Sequence, residues 1–182
     1  MEQRPVIGVD QFASVFGGAP EHTRSRPAEH VRAIIRAGWS PVLCLPGTDQ
    51  AGCILPPTTA KRPHECGAAH ILDTPSKVSS IVTRFLAQHG GANIALHLGR
   101  SNLAVLESPA VPGRGYTVAT SDGKGQWWYT LPPGRSLSPE VVPPWSGWTL
   151  ITGDRYVLVP PATTPDGTYR LVGGTTPWLG AL

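Results

Sequence analysis

Interruption is what most constrains this chain: 21 glycines and 20 prolines are spread through 182 residues. Gly opens positive-φ conformations, while Pro fixes φ and removes an amide donor, so each tends to end whatever helix or strand precedes it. A chain punctuated so often folds as many short strands and turns, with few helices. At this length it is one domain of ordinary size with room for a real core. Charged residues make up only 15%, and the 15 Lys and Arg against 12 Asp and Glu leave a net charge of +3 and a pI near 9.0. The basic residues form no run, so charge alone does not mark a nucleic-acid binder. No stretch approaches the ~20 continuous apolar residues of a membrane span, and the N-terminal MEQRPVIGVDQF lacks the basic-then-apolar order of a secretory signal. The expectation is a cytoplasmic protein with no membrane partner.

Residues 1–24 show no periodicity and read as a loosely held arm, with a short strand over 5–9; residues 25–182 form the domain proper. A helix starts after Ser25 with Pro27 in its first turn, puts Val31, Ile34 and Ile35 on one face and stops at Gly38. The apolar run Pro41 to Leu45 follows as a strand, and residues 46–66 read as irregular. A second helix begins near Thr74 and Pro75, places Val78, Ile81, Val82 and Phe85 at i, i+3, i+4 and i+7, and ends at Gly90 and Gly91. Beyond residue 92 the spacing predicts strands over 93–98, 103–107, 116–120, 127–131, 148–151, 156–159 and 169–172. Their separators SDGKG, PPG and TPDG point to a meandering sheet with tight reversals. The fold class is therefore α+β, with helices early and a sheet late.

Three groups of residues carry candidate chemistry. Cys44, Cys53, Cys66 and His70, with His64 as an alternative fourth ligand, supply the thiolate and imidazole inventory of a structural zinc site in a loop over 44–70. The spacing lacks a CxxC pair, and Cys44 inside PVLCL suits a core equally well. Glu107 ends the apolar strand of GRSNLAVLESP, where a strand end can hold a metal-binding carboxylate at the edge of a cleft; the next alternate position is Pro109, which has none to offer. In DGKGQWWYTLPPG, Lys124 can meet a phosphate, and Trp127, Trp128 and Tyr129 can stack on bases. Strand alternation sends Trp128 to the face opposite Trp127 and Tyr129, so at least one of these rings belongs to the core. Asp154 and Arg155 follow at a turn before the strand YVLV.

Taken in order, ANIALHLGRSNLAVLESP, GKGQWWYTLP and GDRYVLVPPATTPDGTYRLVGG resemble the bifunctional primase-polymerase domain of the archaeo-eukaryotic primase superfamily, especially its actinobacterial phage forms. PVLCLP and HECGAAHILDTP resemble that group's early segments, so the likeness runs from about Trp39 to Gly174. It implies helices packed on a mainly antiparallel sheet, nucleotidyl transfer with Mg²⁺ or Mn²⁺, and DNA or a nucleotide as partner. It also implies a zinc site at Cys44, Cys53, Cys66 and His70. The departures fall on the catalytic motifs. The family's Asp-x-Asp reads Glu107-Ser108-Pro109, its phosphate-contacting histidine falls at Gln126, and its third acidic motif has no counterpart at 148–152, Asp154 being the nearest acid. The expectation is a phage or mobile-element replication-associated protein with a degenerate site, binding nucleic acid, a host or phage replication protein, or a host protein that it regulates. The competing expectation is an active enzyme using Glu107, Asp154 and Asp122 with a divalent ion. In either case Arg100, Ser101, Lys124, Gln126 and Arg155 are the candidate nucleotide or nucleic-acid contacts.

Overall fold

The computed structural model describes residues 9–16, 27–49, 51–54, 75–109, 118–132, 137 and 146–172. Among the described residues, three helices of more than one turn precede the strand-rich part: α1 (Val9–Phe16), α2 (Pro27–Arg36) and α3 (Pro75–His89). The breakers stand where the chain reverses. Gly38 leaves α2 at φ 83° and Gly90 leaves α3 at φ 70°, positions that residues with a Cβ seldom adopt. Val31 and Ile34 of α2 and Ile81, Val82 and Phe85 of α3 are buried, which matches the faces their spacing predicts.

Helix α1 corrects the loose-arm reading at residues 9–16. Phe12 and Phe16, one helical turn apart, are each 3% exposed, with ring centroids 4.4 Å from one another. Phe16 stacks on Trp39 at 5.8 Å and 7°, and Phe12 lies 5.3 Å from Trp128. Eight residues are too few to show a helical period or to hold a helix unaided, so this element exists because two aromatic rings dock on the core.

The strands are β1 (Pro41–Cys44), β2 (Ala51–Ile54), β3 (Asn93–His97), β4 (Leu103–Glu107), β5 (Val118–Ala119), β6 (Gly125–Thr130), β7 (Thr149–Ile151), β8 (Tyr156–Leu158), β9 (Thr163–Thr164), β10 (Gly167–Thr168) and β11 (Arg170–Leu171). The α+β expectation holds, and every pairing is antiparallel. Two details differ. Strand β2, inside the stretch read as irregular, pairs with β1, Leu43 opposite Cys53. The strands also form no single meander: one sheet runs β2-β1-β3-β8, another runs β11-β5-β6-β4-β7, and β9-β10 is a separate hairpin.

The split occurs between β3 and β4. A single helical turn, α4 (Leu98–Ser101), capped by Asn102 at φ 51° and ψ 45°, redirects the chain from the first sheet into the second. Alternation then builds the core from both. Leu43, Ile94, Leu96 and Val157 join Leu103, Val105, Val118, Trp128 and the helices in one cluster. The opposite face of the first sheet carries Val42, Cys44, Ala95 and Leu158 in a smaller cluster, and Tyr169 packs against both. Among the described residues no helix is long and apolar enough to cross a membrane.

Candidate functional site

Glu107 stands at the last position of β4, directly opposite Gln126 on β6. Residues directly opposite on an antiparallel pair project to the same face with Cβ atoms about 5 Å apart. Here Gln126 Nε2 donates to Glu107 Oε2 at 2.9 Å. The other carboxylate oxygen, Oε1, receives Lys124 Nζ at 3.1 Å, and the same ammonium reaches Asp122 Oδ2 at 3.0 Å. Lys124 is therefore shared by two carboxylates from different elements.

The β5–β6 turn makes this convergence. The Thr120 hydroxyl donates to Asp122 Oδ1 at 2.6 Å and accepts the Lys124 amide at 2.8 Å, while Gly123 turns the chain at φ 82°. Bonds to Asp122 and then Glu107 push the Lys124 pKa up, and both carboxylates add to that by their charge. Burial disfavours the charged form of Asp122, but the Thr120 hydroxyl and Lys124 outweigh it and hold its carboxyl below the usual range. Burial, reinforced by the negative charge of Glu107, pushes the Tyr169 phenol up to about 12.

Gln126 is 1% exposed, on the same face as the core residue Trp128, and its Oε1 has no partner among the described residues. A phosphate contact from Gln126, as its place in the family pattern implies, is thus not available at the surface. Trp127 and Tyr129 on the other face are also buried, and Trp127 stacks on Trp148 at 4.8 Å. All three rings of WWY are buried, which matches the core reading of these positions and leaves none of them exposed to stack on a base.

The second group lies at the opposite end of β4. His97, buried at the end of β3, meets Asp154 Oδ1 through Nε2 at 2.9 Å and accepts the Arg100 amide at Nδ1. That arrangement fits a neutral imidazole whose Nε2–H donates to the carboxylate. Burial and the Arg100 charge hold the His97 pKa down against the opposing pull of Asp154. Ser101 is buried as well, its hydroxyl accepting the Ser40 amide at 2.9 Å, so it braces the fold rather than a ligand. Arg155 is exposed, and its carbonyl accepts Leu98 N at 2.8 Å.

Glu107 and Asp154 are consequently not neighbours. Pairing of Glu107 with Thr149 and of Val105 with Ile151 shows β7 running away from Glu107 toward Asp154. The five-residue β4 alone spans roughly 13 Å at the strand rise. His97, the partner that fixes Asp154, carries no sequence signal beyond being a polar residue that ends an apolar strand.

Of the candidate zinc ligands, Cys66, His64 and His70 lie outside the described residues, and Cys53 is placed only through its backbone in β2. Cys44 packs with Val42, Ala95, Leu158 and Ala162. Burial, with help from the Asp49 charge, pushes its thiol up to about 12. Among the described residues no three His, Cys, Asp or Glu side chains are grouped to hold an ion. A cleft of about 450 Å³ lies elsewhere, between Leu86 and Gly91 at the end of α3, Pro46, and Pro161 to Thr163. Asn93 in its wall is already bonded to Thr48 O and to Thr163 O and N, Thr163 being the other polar lining residue.

No protein-family model matches the chain, and no curated protein matches it.

Proposed function

We propose that the protein is a replication-associated nucleic-acid binder of phage or mobile-element type, built on a primase-polymerase-like fold that no longer transfers nucleotides. The observation that carries this reading is the state of Glu107. Two-metal phosphoryl transfer needs several carboxylates free to hold ions about 3.5–4 Å apart. Glu107 has one oxygen on Lys124 Nζ and the other on Gln126 Nε2, and Asp154 lies at the far end of the strand, exposed and bonded through one oxygen to His97. An incoming triphosphate with its ion would have to displace both partners of Glu107, and the acid nearest to it, Asp122, is held by the same Lys124 ammonium. In this reading the protein acts in the cytoplasm, meeting nucleic acid through Arg100 and Arg155. A zinc ion held by Cys44, Cys53, Cys66 and His70 or His64 belongs to the same proposal, as a brace for the segment over 44–70.

A templated primer-extension assay with Mg²⁺ or Mn²⁺ tests it. No extension above background is expected, and extension that disappears in Glu107→Ala would establish the active-enzyme alternative. Retention on immobilised single- or double-stranded DNA is expected; no binding to either, with a host protein captured instead, would replace the nucleic-acid reading by the protein-partner one. Elemental analysis should find about one zinc per chain; folded protein purified without metal, with Cys53 and Cys66 freely titratable, would remove the zinc.

A further inference from the structure

Lys124 Nζ lies 3.1 Å from Glu107 Oε1 and 3.0 Å from Asp122 Oδ2. Two carboxylates on separate elements, one ending β4 and one in the β5–β6 turn, converge on a single point of positive charge. The surrounding bonds engage both carboxylates. Thr120 donates to the remaining side of Asp122. Gln126 turns its amide so that Nε2 meets Glu107 while Oε1 is left without a partner among the described residues, although the side chain is buried. The reverse orientation would set oxygen against oxygen, so the carboxylate dictates the amide even at the cost of an unsatisfied acceptor.

We propose that the Lys124 ammonium is the resident cation of a two-carboxylate ion site, a tethered replacement that excludes a divalent ion from Glu107 and Asp122. The inference rests on the reading of this strand end as a site that no longer supports catalysis. A hard divalent ion seeks anionic oxygens at about 2.0–2.6 Å, and here they already face a charge carried by the chain itself. Intramolecular attachment keeps that charge at high effective concentration, and adding a dication beside it would bring two positive centres together. With the ammonium removed, the two carboxylates are left facing one another with no counter-charge, and a divalent ion becomes the group that relieves them.

Manganese titration of the protein alone, without nucleotide or nucleic acid and followed by the electron paramagnetic resonance of free Mn²⁺, tests the proposal. Wild type should take up no ion that Glu107→Gln removes. Lys124→Ala should take up about one ion per chain, with affinity at least about tenfold above wild type because a unit positive charge has left the site. Lys124→Gln keeps most of the stem and carries the test should Lys124→Ala fail to fold. Lys124→Arg should exclude the ion as wild type does, and Lys124→Gln combined with Glu107→Gln should lose the uptake. Ion uptake by wild type that Glu107→Gln abolishes would overturn the proposal, as would a folded Lys124→Gln that takes up none. Template-dependent extension by wild type would overturn the proposed function without changing this readout, so the two failures are separable.

Discussion

Gly99 donates its amide to the carbonyl of Gly153 at 2.7 Å, and a Cβ built on Gly99 would lie 2.8 Å from that same oxygen. The contact is backbone against backbone, with Gly153 itself at φ 69°, so no flexible side chain can yield. It docks α4 on the turn that carries Asp154. Gly99→Ala should destabilise the fold by about 2 kcal/mol, the usual scale of overpacking. Chemical denaturation would show this as a lower midpoint with an unchanged slope.

Phe12 contacts Phe16, Trp39 and Trp128 from a segment whose sequence shows no helical period. Phe12→Ala should cost about 3–5 kcal/mol, as for other buried aromatic rings. A change near zero in the denaturation midpoint would return residues 9–16 to the status of an arm.

His30 is buried against Phe16, its two ring nitrogens have no partner among the described residues, and burial lowers its pKa to about 4. A folded pKa below the unfolded value means that the unfolded chain binds the proton more readily. The stability linked to His30 is therefore intact above the unfolded pKa, about 6.5, and declines as pH falls from there toward about 4. The loss should be roughly 3 kcal/mol at its fullest. Denaturation midpoints measured across this window should fall in wild type and flatten in His30→Phe.

Without a bound ion, Cys44, with its thiol pushed up to about 12 by burial, presents almost no thiolate at neutral pH. Peptide-resolved alkylation with iodoacetamide should leave it unmodified in the folded protein and label it once the chain is denatured. Rapid labelling in the native state would contradict its place in the cluster with Val42 and Leu158.

Binding to DNA, if Arg100 and Arg155 supply the contacts, should be weak and shallow in its salt dependence, equivalent to about two to four phosphates neutralised. Arg155→Ala should lower that slope by about one. Tight binding insensitive to salt would require contacts of another kind.

Much of the secondary structure was legible locally. Pro27 and Gly38 bound α2, the 3–4 spacing of Ile81, Val82 and Phe85 identified α3, and the β4 and β8 runs stand close to where alternation and breakers put them, because those signals act between residues a few positions apart. The sequence by itself also determined that Pro109 withholds a second acid beside Glu107. Only the tertiary structure decided the rest. That β3 and β4 enter different sheets, that Phe12 and Phe16 make a helix worth forming, and that Asp154 turns to His97 rather than to Glu107 all depend on partners far apart in the chain. The fate of Glu107 shows the reason most plainly. Its two partners, Lys124 and Gln126, lie on a different turn and strand, and antiparallel register together with the β5–β6 turn brings them to its two oxygens. A pattern read along one strand carries no information about that register.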